Sequence, residues 1–99
     1  MRDPEYVREY ERTKLANEVA LAVIRYRAEH HLSQAALGRK LGMHQPAIAR
    51  IEAADHEPSL STLSRLSRVL GVTFSLDITP DKLALRVHGG RRRAVKAGA

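Results

Sequence analysis

The 99 residues contain no cysteine. That absence removes disulfide frameworks, zinc-finger spacings and thiol catalysis, fits a reducing compartment, and leaves stability to packing, helped by a partner subunit. No apolar run approaches the roughly 20 residues of a membrane span. The charged start MRDPEYVREYERTK lacks the apolar stretch of a signal peptide, so the expected location is cytoplasmic, with no membrane partner. Catalytic patterns are missing too: there is no Gly-x-Ser-x-Gly turn, phosphate loop or paired-carboxylate pattern, and one domain of this size has little room for a deep cleft beside its core. The five histidines make no metal set, since His30 and His31 are adjacent and His44, His56 and His88 are scattered over different segments. We therefore expect neither an enzyme nor a metal or cofactor site.

Acidic residues are absent from the last stretch. Residues 86–99 carry Arg86, Arg91, Arg92, Arg93 and Lys96 with no acid, which is +5 of the formal +6 and leaves residues 1–85 nearly neutral. Bulk charge therefore says little about the folded part, and any case for nucleic-acid binding must rest on geometry and motif. The arginine run fits a mobile solubilising end or an arm adding non-specific phosphate contacts.

What is present is mostly helical punctuation. Asp3-Pro4 reads as an N-cap with proline at the first helical position. Tyr6, Tyr10, Leu15, Val19, Val23 and Tyr26 then recur at helical spacing, as one long helix or two broken near Thr13, of which we favour two. Ser33 caps QAALGRKL, and Gly42 follows as the residue able to turn left-handed. The next helix spans about Gln45 to Ala53, with His44 at its cap and Pro46 in its first turn. Ser59 caps a further helix whose Leu60, Leu63, Leu66, Val69 and Leu70 face a core, and Gly71 ends it. From Val72 the period falls to two: Val72, Phe74, Leu76 and Ile78 alternate with Thr73, Ser75, Asp77 and Thr79. After the turn-like Thr79-Pro80-Asp81-Lys82, Leu83, Leu85 and Val87 alternate again. A lone hairpin is marginal in water, and pairing with the same ribbon of a second chain removes an edge, so we expect a homodimer through Phe74, Leu76 and Ile78.

Two short helices joined by a glycine-containing turn form the arrangement in which the second helix enters the DNA major groove. Over about Leu15 to Gly71, the stretches LSQAALGRKLG, HQPAIARIE and PSLSTLSRLSRVLGV resemble the Cro/phage-repressor class of helix-turn-helix proteins. Apolar Leu37, Leu41, Ile48 and Ile51 sit where that motif packs, and Ala36 is small where helices approach. The resemblance implies a mostly α fold, a repressor-like bundle of four to five helices followed by a β-strand or hairpin that pairs across a dimer. It also implies that Gln45, Pro46 and Arg50 face base edges, glutamine suiting adenine, arginine suiting guanine and proline offering apolar contact. Gln34 resembles the glutamine that clamps a phosphate, with Ser33 and His44 beside it at the two helix starts. Arg27 and Glu52 would form an internal salt bridge. Three departures stand out. The loop AADHEP carries Asp55 and Glu57, which repel phosphate and point to low intrinsic DNA affinity; His31 stands where glycine is frequent; His44 replaces the usual Ser/Thr cap.

The N-terminal DPEYVREYERTK ahead of such a domain is similar to antitoxins of the HigA type, and LGVTFSLDI is similar to the dimerising strand of HipB-type antitoxins. These resemblances imply an antitoxin that represses its own operon by binding an inverted-repeat operator in double-stranded DNA as a dimer. They also imply that it neutralises a co-encoded RelE/HigB-like toxin, a ribosome-dependent ribonuclease. Tyr6 and Tyr10 would bind that toxin or pack within the domain or dimer. The expected division is 1–14 an N-terminal helical extension, 15–71 the DNA-binding domain, 72–88 the dimerisation element and 89–99 a disordered basic tail. The alternatives are a stand-alone dimeric repressor and a protein-interaction module that uses the motif as scaffold.

Overall fold

The computed structural model describes residues 4–89, with side chains described from Glu9 onward. Asp3, the Tyr6 side chain and the arginine tail, on which several expectations fall, lie outside the described residues.

Helix α1 (Pro4–His30) is one continuous helix of 27 residues rather than two. It contains no glycine and no proline after Pro4, and the residue where a break was expected is accommodated: the Thr13 hydroxyl donates to the Glu9 carbonyl at 3.1 Å. This i−4 bond lets a polar β-branched residue sit inside a helix. Leu15, Ala16, Val19, Ala20 and Val23 form its buried stripe. The chain leaves α1 through His31 at φ 54°, the strained turn expected from a bulky residue in a glycine-like place.

Helix α2 (Gln34–Leu41) opens on the Ser33 hydroxyl, which accepts from the Ala36 N–H at 3.0 Å, and closes at Gly42 with φ 72°. The end of α2 is also held from outside, because Arg65 donates to the carbonyls of Leu41 and Gly42 at 3.4 and 3.3 Å. Helix α3 (Gln45–Ala53) follows after three residues, Gly42, Met43 and His44, and its cap His44 makes no side-chain capping bond. The turn between these helices packs closely against Gly38, where a Cβ would meet the Met43 carbonyl oxygen. Helix α3 ends at Ala54 with φ 56°, a left-handed position held by a non-glycine residue. Helix α4 (Leu60–Leu70) starts on Ser59, whose hydroxyl accepts from the Thr62 N–H, and stops at Gly71 with φ 73°. The helices converge on one core in which Val19, Val23, Leu37, Ile48 and Leu66 are fully buried.

Strands β1 (Val72–Thr79) and β2 (Lys82–Gly89) form an antiparallel hairpin, with Leu76 opposite Leu85 and Thr79 opposite Lys82. The Ser67 hydroxyl of α4 donates to the Val72 carbonyl at 2.6 Å and ties the ribbon to the bundle. Phe74, Leu76, Leu83 and Leu85 pack against the helical core. Ile78, expected on the same half-buried face, is 68% exposed, because it stands beside the turn at the far end of the ribbon. On β2, the Leu83 N–H donates to a Glu11 carboxylate oxygen at 2.7 Å, which secures the N-terminal part of α1 to the ribbon.

Candidate nucleic-acid interface

Helix periodicity divides α3 into two faces. Ile48 and Ile51 are buried, whereas Gln45, Pro46, Arg50 and Ala53 are exposed on the opposite side, with half-buried Ala49 between them. Pro46 sits in the first turn, where its missing N–H breaks no intrahelical bond. The outer face therefore carries one amide, one guanidinium and otherwise small or ring side chains. Such a face can approach the floor of a groove closely. Ala49 was not singled out from the sequence, although its period with Gln45, Pro46 and Ala53 places it in the same strip.

Behind this face, four of the expected site residues join into one chain of hydrogen bonds. Arg27 of α1 donates from Nε and Nη2 to the two oxygens of Glu52, at 2.6 and 2.8 Å, and from Nη1 to the Leu32 carbonyl at 3.0 Å. Gln34 Nε2 donates to Glu52 Oε1 at 3.0 Å, and Gln45 Nε2 donates to Gln34 Oε1 at 2.6 Å. The expected Arg27–Glu52 bridge is thus present and two-pronged, with the Glu52 side chain only 10% exposed. The hydrogen bonds from Arg27 hold the Glu52 carboxyl below the usual carboxylate range, against burial that pushes it up; the bond from Gln34 and the Arg27 charge also lower it. The same bond to Glu52 raises Arg27 above its ordinary value. The links from Glu52 to Gln34 and from Gln34 to Gln45 were not foreseen, since each connects residues far apart in sequence.

The helix starts of α2 and α3 lie at this site. The Ser33 hydroxyl accepts from its own helix and keeps its hydrogen for an outside acceptor, and His44 is exposed. The acids of the loop both have partners. His56 Nδ1 lies 3.0 Å from Asp55, and this hydrogen bond is the main cause holding the Asp55 carboxyl below its usual range. Glu57 lies 3.7 Å from Arg12 Nε of α1. Tyr10 is 63% exposed on α1, and Phe74, Leu76 and Ile78 share one side of the ribbon. Among the described residues no group of three or more His, Asp or Glu is placed to hold a metal ion, and no helix is long and apolar enough to cross a membrane.

The helix-turn-helix family model matches residues 23–76, from the second half of α1 through Leu76 of β1. The chain belongs to the helix-turn-helix family. It is of the Cro/phage-repressor type, a family of DNA-binding regulators rather than enzymes. The helix-turn-helix protein is 31% identical over 74 residues to the antitoxin HigA1 of Mycobacterium tuberculosis, an alignment that covers 75% of this chain and 50% of the relative. It is 38% identical over 47 residues to an uncharacterized HTH-type transcriptional regulator of Methanocaldococcus jannaschii, covering 48% of this chain and 71% of the relative. The chain thus spans about half the length of the HigA1 antitoxins it matches.

Proposed function

We propose that this helix-turn-helix protein is the antitoxin of a toxin–antitoxin pair, a cytoplasmic dimer that represses its own operon at an inverted repeat and sequesters a co-encoded toxin of RelE/HigB-like type. In this reading Gln45, Pro46 and Arg50 contact base edges, while Gln34, Ser33 and His44 meet phosphates next to the helix starts, where backbone N–H groups point outward. The observation that carries the antitoxin assignment is the similarity to HigA1, which spans three quarters of the chain and so extends beyond the motif itself. The 38% identity to a transcriptional regulator favours a second reading, a repressor with the same DNA chemistry and no toxin.

The ribbon supports the dimer. Leu83 is opposite Ile78, and its N–H points away from β1 to Glu11, so Phe74, Leu76 and Ile78 turn their own backbone N–H and C=O groups to the outer edge of β1. A second copy of β1 pairing there about a twofold axis satisfies those groups and extends the sheet. Half-sites would then be about one helical turn, roughly 34–36 Å, apart.

Affinity purification of the tagged full chain from its native cells, followed by a high-salt wash, separates the two readings. A small protein retained in near-equal amount, whose removal frees a growth-arresting activity, supports the antitoxin. Recovery of the homodimer and DNA alone leaves the plain repressor. A monomer at micromolar concentration, or a footprint without twofold symmetry, overturns the dimeric operator complex in either case.

A further inference from the structure

We propose that Glu52 is a positioning residue for base recognition: through Gln34 it fixes which way the Gln45 carboxamide is turned, and so sets Gln45 to prefer adenine over guanine. This rests on the reading of Gln45 as a base-contacting residue.

A carboxylate can only accept hydrogen bonds, and Arg27 occupies both Glu52 oxygens with donors at 2.6 and 2.8 Å, which keeps the group ionised. The part of Gln34 that faces Glu52 at 3.0 Å must therefore be its NH2. That choice leaves the Gln34 carbonyl oxygen facing α3, where only a donor can meet it. Gln45 accordingly turns its own NH2 inward, with Nε2 at 2.6 Å from that oxygen. Each amide in the chain copies the polarity of the one behind it, and the polarity originates at a side chain that is 10% exposed.

The consequence appears at the outer end. With one N–H spent on Gln34, Gln45 has one N–H and its carbonyl oxygen left for DNA. This donor–acceptor pair complements the N7 acceptor and N6 donor of adenine. With the amide reversed, its oxygen would be spent inward and only N–H groups would face out, which suits the two acceptors of guanine, N7 and O6. Reversal requires the Gln34 oxygen to face the Glu52 carboxylate, an acceptor against an acceptor, so the charged Glu52 excludes it. Glu52 thereby influences the base chosen without touching DNA.

The test uses the full chain and a pool of randomised DNA duplexes, from which preferred sites are selected for the wild type and for three variants. Gln45→Ala identifies the position that Gln45 reads as the one whose preference flattens. Duplexes carrying A·T or G·C at that position are then compared by titration. Glu52→Gln removes the acceptor-only end and allows both polarities. Gln34→Met breaks the chain while leaving the Arg27–Glu52 bridge intact, so it covers the case in which Glu52→Gln fails to fold. Both are expected to lose most of an adenine preference of about 5- to 150-fold at that one position, with preferences elsewhere retained. Affinity that falls uniformly with the adenine preference intact would overturn the relay while leaving Gln45 as a reader. If Gln45→Ala flattens no position, the base-reading assignment itself fails, and the relay with it.

Discussion

Leu37, Ile48 and Leu66 in the helical bundle are wholly removed from solvent, whereas on the ribbon Phe74 and Leu76 are half-covered and Ile78 is 68% exposed. Apart from Phe74, both regions are built from the same kind of aliphatic side chain. In the bundle, four helices supply each other with covering surface, and the core closes on itself. In the ribbon, only one side meets helices, and the β1 edge presents backbone groups to the outside. Stability should therefore be concentrated in the bundle, and the capacity to associate in the ribbon.

The largest separation between the two regions is expected from truncating their aliphatics. Leu37→Ala should cost about 3–4 kcal/mol of unfolding free energy, while Ile78→Ala should cost under about 0.5 kcal/mol, read from urea midpoints at one protein concentration. Equal losses would mean that the ribbon is as tightly built as the bundle. Next in size is Gly38→Ala, at about 2 kcal/mol, because the new methyl meets the Met43 backbone oxygen rather than a flexible side-chain end. A neutral Gly38→Ala would show that the two motif helices can move apart freely.

Acid should weaken the bundle through Glu52. Its folded-state carboxyl lies below the ordinary range, so at neutral pH both folded and unfolded chains are ionised and the bridge contributes fully. As pH falls, the unfolded chain takes up the proton first, and stability declines from the ordinary carboxylate range down to the depressed folded value. Arg27, shifted upward, stays charged throughout. The Glu52→Gln protein should lose less stability over that window in matched denaturant titrations. The smallest effect on folding and the sharpest on association should come from Ile78→Lys: within about 0.5 kcal/mol for the chain itself, with the dimer lost by sedimentation. A dimer that survives this charge would place the contact elsewhere.

The parts that were legible in the sequence are those governed by local chemistry. Ser33 and Ser59 open their helices through their hydroxyls, Gly42 and Gly71 end them by turning left-handed, and the change of period at Val72 marks the strand. Thr13 misled because helix tolerance at a β-branched polar residue depends on whether its hydroxyl finds the i−4 carbonyl. Gly38, Arg65 and Ala54 were missed for a different reason. Each acts on a chain segment it meets only after folding or takes a backbone angle its residue type rarely adopts. At the site, the motif placed Arg27, Gln34, Gln45 and Glu52 one by one. Their connection did not show, because a hydrogen bond between residues 18 apart leaves no periodic trace in the sequence.

Helix α1 gives the molecule a fixed phase. Its C-terminal part holds Glu52 through Arg27, and its N-terminal part holds the start of β2 through Glu11. One helix of 27 residues is about 40 Å long and turns about 100° per residue. Removing a single residue between Glu11 and Arg27 would swing one anchor a quarter-turn or more away from its partner, whereas removing seven would bring both back almost into phase on a rod about 10 Å shorter. The angular setting between the ribbon and helix α3 is thus counted in whole helical residues, and a partner that grips one end meets the other at a set rotation.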